Sequence, residues 1–213
     1  MTKSPLPIIQ QTKYQGGLPM RDKLIHSATN ACFHVVNHAV DGRELYYDAG
    51  DYKSYLHFFK EALNSDVTVL VYCLMPNHFH FLLRQNAYEA ISSLFEAAHK
   101  RYARYYNKKH GYKGKIFRQR LNHRETMGEE HILNAAAYIH ANPVHANLAQ
   151  FPEEWEFSNF QEYLRMRKGS LYSERFLLDY IGNPENYRKQ VIELARKKGM
   201  QRAFMRDVLQ GKG

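Results

Sequence analysis

The sequence predicts an α+β chain: a ferredoxin-like two-layer sandwich with an antiparallel sheet and helices on one face, plus a C-terminal helical extension. Three observations predict it. Strand-like and helix-like segments alternate in the order strand, helix, strand, strand, helix, strand, helix. Two of the strands are separated only by Met75-Pro76-Asn77, a turn too short for anything but antiparallel pairing. A hydrophobic share of 44% in 213 residues is ample for one core, and the length suits a single domain with an appendage.

Taken in order, residues 1–28 mix Pro, Gly, Gln and charge without a period and are read as an N-terminal arm. Residues 32–40 are rich in β-branched and aromatic side chains and read as a strand, ended by Asp41-Gly42-Arg43. Over 51–64, Tyr55, Leu56, Phe58, Phe59 and Leu63 recur at helical spacing, with Asp48 or Asp51 as the cap. Residues 67–74 form a nearly continuous apolar run, the pattern of a central strand buried on both faces. Residues 78–84 return as its hairpin partner. A long helix follows, with Ile91, Leu94, Phe95, Ala98, Tyr102 and Tyr105 in one stripe and Gly111 and Gly114 at its end. Residues 115–123 fit a fourth strand. Thr126-Met-Gly-Glu129 is a capping box for a helix that should stop at Asn142, because Pro143 disfavours helical geometry before it. Trp155-Glu-Phe-Ser-Asn-Phe160 reads as an aromatic clasp packing back on the core, and 171–213 as two short helices with a basic end. That end holds Arg196, Lys197, Lys198, Arg202, Arg206 and Lys212, either a second contact with an anionic partner or a solvated tail. The expected division is therefore 1–28 arm, 29–150 core, and 151–213 clasp and basic helical extension, without internal repeats.

Charge narrows the partner. Lys and Arg number 30 against 21 Asp and Glu, a formal charge of +9. Such a surplus points to an anionic partner, usually nucleic acid, although a basic protein with an ordinary solvated surface reads the same way. Tyrosine is frequent, 16 against one Trp, and Lys100-Arg-Tyr-Ala-Arg-Tyr-Tyr106 interleaves rings with cations. Such rings can stack on unpaired bases, or they can be core aromatics with snorkelling neighbours. Cys32 and Cys73 are too few for a disulfide framework, no apolar run nears bilayer-spanning length, and the N-terminus lacks a signal-peptide core. The expectation is a reduced, cytoplasmic protein with no membrane partner.

Two stretches carry chemistry. In His78-Phe79-His80, strand alternation points both imidazoles one way and Phe79 and Phe81 the other. In Tyr138-Ile-His-Ala-Asn142-Pro143, Tyr138 and Asn142 are four apart and share a helix face. Together these supply two imidazoles, an amide oxygen and a phenol, a set that fits Mg²⁺ or Mn²⁺ with a nucleophile beside it and suits phosphodiester cleavage. The scarcity of thiols argues against structural zinc. A phenol is a poor nucleophile at neutral pH, and a cation polarising the scissile phosphate lowers the demand on it. Bland readings stand beside this one: a His-x-His pair is usually structural, Tyr138 can be a core aromatic, and Tyr106 and His110 are also four apart.

The assembled pattern resembles the single-tyrosine HUH transposases, most closely the REP-associated tyrosine transposases. The resemblance rests on Cys32-Phe-His-Val-Val, Leu74-Met-Pro-Asn-His-Phe-His-Phe-Leu-Leu83, Phe117-Arg-Gln-Arg120, Tyr138-Ile-His-Ala-Asn-Pro-Val144 and Trp155-Glu-Phe-Ser158, roughly residues 28–165. It implies His78, His80 and Asn142 as metal ligands and Tyr138, not Tyr106, as nucleophile. It further implies a transposase that cuts and rejoins single-stranded or hairpin DNA through a 5′-phosphotyrosine bond. The rival functions are a domesticated DNA-binding regulator and a metal-dependent nuclease using water. Lys100, Arg101, Arg104, Lys108, Arg118 and Arg120 are the expected DNA track. One departure is Asn37-His38-Ala39, where relatives often carry a Ser-Arg-Gly type stretch. Some relatives share the site between two subunits, whereas the REP-associated type implies a monomer, the state expected here.

Overall fold

A two-residue turn organises the sheet. Strand β2 (Val67–Met75) and strand β3 (His78–Gln85) are joined by Pro76 and Asn77, with Met75 opposite His78. Strand β1 (Ala31–His38) lies antiparallel to the other edge of β3, and β4 (Asn122–Glu125) antiparallel to β1. The order is β2-β3-β1-β4. The computed structural model describes residues 29–169, 171 and 181–197, so the expected N-terminal arm and Lys198, Arg202, Arg206 and Lys212 lie outside the described residues. Among the described residues, no helix is long and apolar enough to cross a membrane.

Strand alternation divides the interior. Ala31, Phe33, Val35, Phe79, Phe81 and Leu83 enter one apolar core with helix α1 (Ala49–Ala62) and helix α2 (Ala90–His110). Asp48 caps α1 by accepting the Asp51 N–H at 3.0 Å, and α2 ends on Gly111 in the left-handed region, φ 62°. The expected antiparallel sheet is thus present with α1 and α2 layered on one face, but the expected confinement of the helices to that face is not. A third helix, α3 (Glu129–His145), takes the opposite face, where Cys32 and Leu82 pack against Ala135, Ala136 and Ile139. Because α3 is buried continuously from Ala135 to Pro143, it needs cover on two sides. The sheet supplies one side. Helix α5 (Pro184–Arg196) supplies the other through Tyr187 and Val191, and a short helix α4 (Phe160–Tyr163) precedes it in the chain.

Four local expectations change. Strand β2 is an edge strand, not a central one. Its edge is nevertheless covered, because Phe157 O accepts Leu74 N–H at 2.9 Å and Tyr72 O accepts Asn159 N–H at 3.2 Å. The aromatic clasp is therefore a short strand-like segment that closes the sheet, with Trp155 Nε1 donating to Leu74 O at 2.9 Å. The fourth strand is not 115–123. Only Phe117 bridges to Ala39 before the chain bends, and true pairing with β1 starts at Asn122. Thr126 does not cap α3; its N–H continues the sheet by donating to Cys32 O at 2.8 Å, and Gly128 at φ 83° precedes the helix instead. Finally, α3 runs past Pro143 to His145. Pro143 has no N–H for Ile139 O, and the Asn142 side-chain amide donates to that carbonyl at 3.4 Å and to Tyr138 O at 2.9 Å.

The tyrosines resolve mostly as core. Tyr102 and Tyr106 are buried beneath α2, donating to Leu45 O at 2.5 Å and Glu44 O at 3.0 Å. Replacing Asn159 with Ala should expose how much the clasp contributes. It would remove acceptors for Tyr72 N–H (2.8 Å) and His140 Nε2–H (3.0 Å) and a donor to Leu70 O (3.1 Å). A loss of about 2–3 kcal/mol in urea unfolding is expected; a change below about 0.5 kcal/mol contradicts the assignment.

Candidate active site

The site begins as a row of imidazoles on the sheet face that α3 covers. His78 and His80 stand on β3, and pairing with β1 sets His38 directly opposite His78. His34 belongs to the same face. The rings of His38 and His78 lie 5.0 Å apart, those of His78 and His80 5.0 Å, and those of His34 and His80 5.2 Å. A hydrogen bond of 3.0 Å joins His34 Nε2 and His80 Nδ1. His78 Nδ1 lies 2.7 Å from Asn77 Oδ1, at the open end of the row. The tight turn and the antiparallel register build this arrangement, because they fix which residues on the two strands stand side by side.

From the other side, α3 brings Tyr138. Its ring is 6.0 Å from that of His80 and 6.3 Å from that of His34, and it is only 1% exposed. Asn142 lies one turn further along, buried, with its amide nitrogen committed to the carbonyls of Tyr138 and Ile139. Its Oδ1 is the end left for a donor or a cation. No hydrogen bond joins Asn142 to either histidine among the described residues. His145, two turns from Tyr138, has its ring 6.2 Å away and donates Nε2–H to Leu194 O at 3.2 Å.

Helix α3 is held in place by its opposite face. His140 Nε2 donates to Asn159 Oδ1 at 3.0 Å, and His140 Nδ1 accepts from the Tyr187 hydroxyl at 2.8 Å. The clasp and α5 therefore grip the helix two residues from Tyr138.

Burial sets the protonation states. It pushes His34 and His78 down to about 3, with Arg124 adding to the effect at His34 and His38 at His78. It also drives His80 far below its ordinary value, reinforced by His78, His34 and His38. These imidazoles are neutral at pH 7, the form in which a nitrogen lone pair can bind a cation. Burial raises Tyr138 above its ordinary value, so the phenol keeps its proton at neutral pH. Among the described residues no cluster of three or more His, Cys, Asp or Glu forms a metal cage. Any ion here would rely on imidazole and amide donors. The fit is favourable: His80 Nε2 is buried and has no hydrogen-bond partner among the described residues, as expected of a nitrogen reserved for a ligand.

Of the sequence-level candidates, the structure brings His78, His80 and Tyr138 together, with Asn142 on the same end of α3. It separates the cations. Lys100, Arg101, Arg104 and Lys108 are exposed on α2, which packs on the face opposite Tyr138, and Arg101 pairs with Glu61 at 2.8 Å. Arg118 is near the histidine row, donating its backbone N–H to His38 O at 2.9 Å, and Arg120 follows it, exposed. Tyr106 and His110 are excluded as a competing pair, since both sit on α2 and His110 is 3.0 Å from Asp51. Sequence reading missed His34, His38, His145 and Arg124, the last opposite His34 on β4. The signal for His34 and His38 was present, as both have the same parity along β1, but their register against β3 was not.

A family profile described as "Transposase IS200 like" matches residues 27–142, from just before β1 to Asn142. The chain belongs to the IS200-like transposase family. Among solved structures it is similar to a REP-associated tyrosine transposase bound to a REP hairpin, with a TM-score of 0.56 and 14% identity. That match covers 78% of this chain and 96% of the other and shows a shared fold. No curated protein matches the sequence.

Acid should destabilise the fold through its buried imidazoles. His34, His78 and His140 are held by burial near 3 when folded, whereas in the unfolded chain they take up protons near 6.5. Between those values the unfolded state binds more protons, so their contribution is complete above about pH 6.5 and is lost as pH falls toward about 3. Thermal unfolding followed by circular dichroism should show Tm dropping once pH passes below about 6.5. A Tm unchanged from pH 7 to pH 5 contradicts neutral buried imidazoles.

Proposed function

We propose that this chain is a metal-dependent transposase that cleaves and rejoins single-stranded DNA at hairpin-forming repeats through a 5′-phosphotyrosine intermediate. The observation that carries the reading is the Tyr138 ring lying 6.0 Å from His80 within one chain. Membership of a transposase family and the fold shared with a hairpin-bound relative support it. His78, His80 and Asn142 would hold Mg²⁺ or Mn²⁺, which would withdraw charge from the scissile phosphate.

Tyr138 Oη attacks phosphorus, an O–P bond to the tyrosine forms, and the bond from phosphorus to the 3′ oxygen breaks. Because burial keeps the phenol protonated, its proton leaves during attack and ends, in net terms, on the released 3′-hydroxyl. A DNA 3′-hydroxyl then attacks the phosphotyrosine, restoring a phosphodiester and the phenol. No water is consumed, so the phosphodiester energy is conserved. The single-chain placement of Tyr138 beside His80 supports a monomeric site. Arg118, bonded through its backbone to His38, and Arg124, opposite His34, stand beside the histidine row and would meet the flanking phosphates with Arg120, while the α2 cations reach only DNA that wraps to the other face.

The test is incubation with labelled hairpin single-stranded DNA and Mn²⁺, followed by a denaturing gel. A covalent protein–DNA band is expected, lost in Tyr138→Phe while a native gel still shows binding. An adduct persisting in Tyr138→Phe assigns the chemistry to another tyrosine. Cleaved DNA with no adduct identifies a water-using nuclease, and a native shift alone a binding protein. Raising salt from about 50 to about 200 mM should weaken hairpin binding about a hundredfold or more; a flat response removes the phosphate track.

A further inference from the structure

We propose that Asn77 is a positioning residue that fixes the proton on Nδ1 of His78 and so reserves its Nε2 lone pair for the ion. The proposal deepens the reading above and rests on it. A neutral imidazole has one N–H and one lone pair, and the partner of one nitrogen decides the role of the other. Asn77 Oδ1 can only accept, so at 2.7 Å it requires a proton on His78 Nδ1. The Nε2 of His78 is then a lone pair by elimination.

Asn77 is well placed for this work. It is an exposed turn residue immediately before His78, and its backbone carbonyl accepts Ala39 N–H at 2.9 Å, tying the turn to the end of β1. One residue thus closes the hairpin and orients the first histidine. Outer-shell partners of this kind typically change metal affinity by about 10–100-fold.

The experiment measures Mn²⁺ binding by electron paramagnetic resonance of the free ion, together with histidine tautomers by ¹⁵N–¹H correlation in the metal-free protein. Wild type should show His78 as the Nδ1–H tautomer and bind Mn²⁺. Asn77→Ala should lose the fixed tautomer at His78 and weaken Mn²⁺ binding by about tenfold or more, while Asn77→Asp, which keeps the acceptor, should restore both. Should wild type bind Mn²⁺ and His80→Ala abolish it while Asn77→Ala binds like wild type, the positioning role is overturned and the metal site stands. An Nε2–H tautomer at His78 in wild type overturns it equally. If wild type binds no Mn²⁺ at all, the metal site and this inference fall together.

Discussion

The register between β1 and β3 is the constraint on which the rest depends. Pairing His38 with His78 places four imidazoles on one face of the sheet and the rings of Phe79 and Phe81 on the other. A slip of one residue would exchange the two sets, putting histidines into the α1–α2 core and phenyl rings against α3. The apolar core therefore protects the polar site: burying Phe79 and Phe81 is what makes the histidine face unavoidable. The two-residue turn at Pro76-Asn77 holds the other side of β3 to the same register.

The second half of the site arrives by a different route, and its placement is a matter of support rather than alternation. Helix α3 presents Tyr138 to the histidines while His140, two residues on, faces away toward Asn159 and Tyr187. Asn159 also closes the exposed edge of β2. One residue thus joins the sheet edge to the tyrosine helix, tying clasp, helix and strand together. Asn142 serves its own helix in a comparable way, its amide repairing the ladder at Pro143 and leaving its oxygen for other work.

Much of this was legible in the sequence, for identifiable reasons. The alternation of His and Phe along β3, the Asp48 cap and the Gly111 stop are written in local residue order, and each appears where its chemistry requires. The face that α3 occupies was not legible, because periodicity says which side chains share a face and not what covers it. Likewise β2 looks central in sequence, since burial by a neighbouring clasp and burial by a neighbouring strand leave the same apolar run. His34 and His38 were visible as residues but silent as partners. Only the pairing of β1 with β3 brings them to His80 and His78, and that pairing spans 46 residues between His34 and His80. The cations of α2 mislead for the same reason, as their stripe is real but lies across the sheet from Tyr138.

The central claim is that Tyr138 and the imidazoles of β3 face one another across a space that a single divalent ion can share. Incorporating 3-fluorotyrosine and titrating Mn²⁺ tests it most directly by ¹⁹F NMR, with the Tyr138 line assigned by its loss in Tyr138→Phe. The account predicts that this line broadens away at substoichiometric Mn²⁺ while that of Tyr106, on the far face of the sheet, survives. A Tyr138 line that stays as sharp as the Tyr106 line with the ion bound would contradict it.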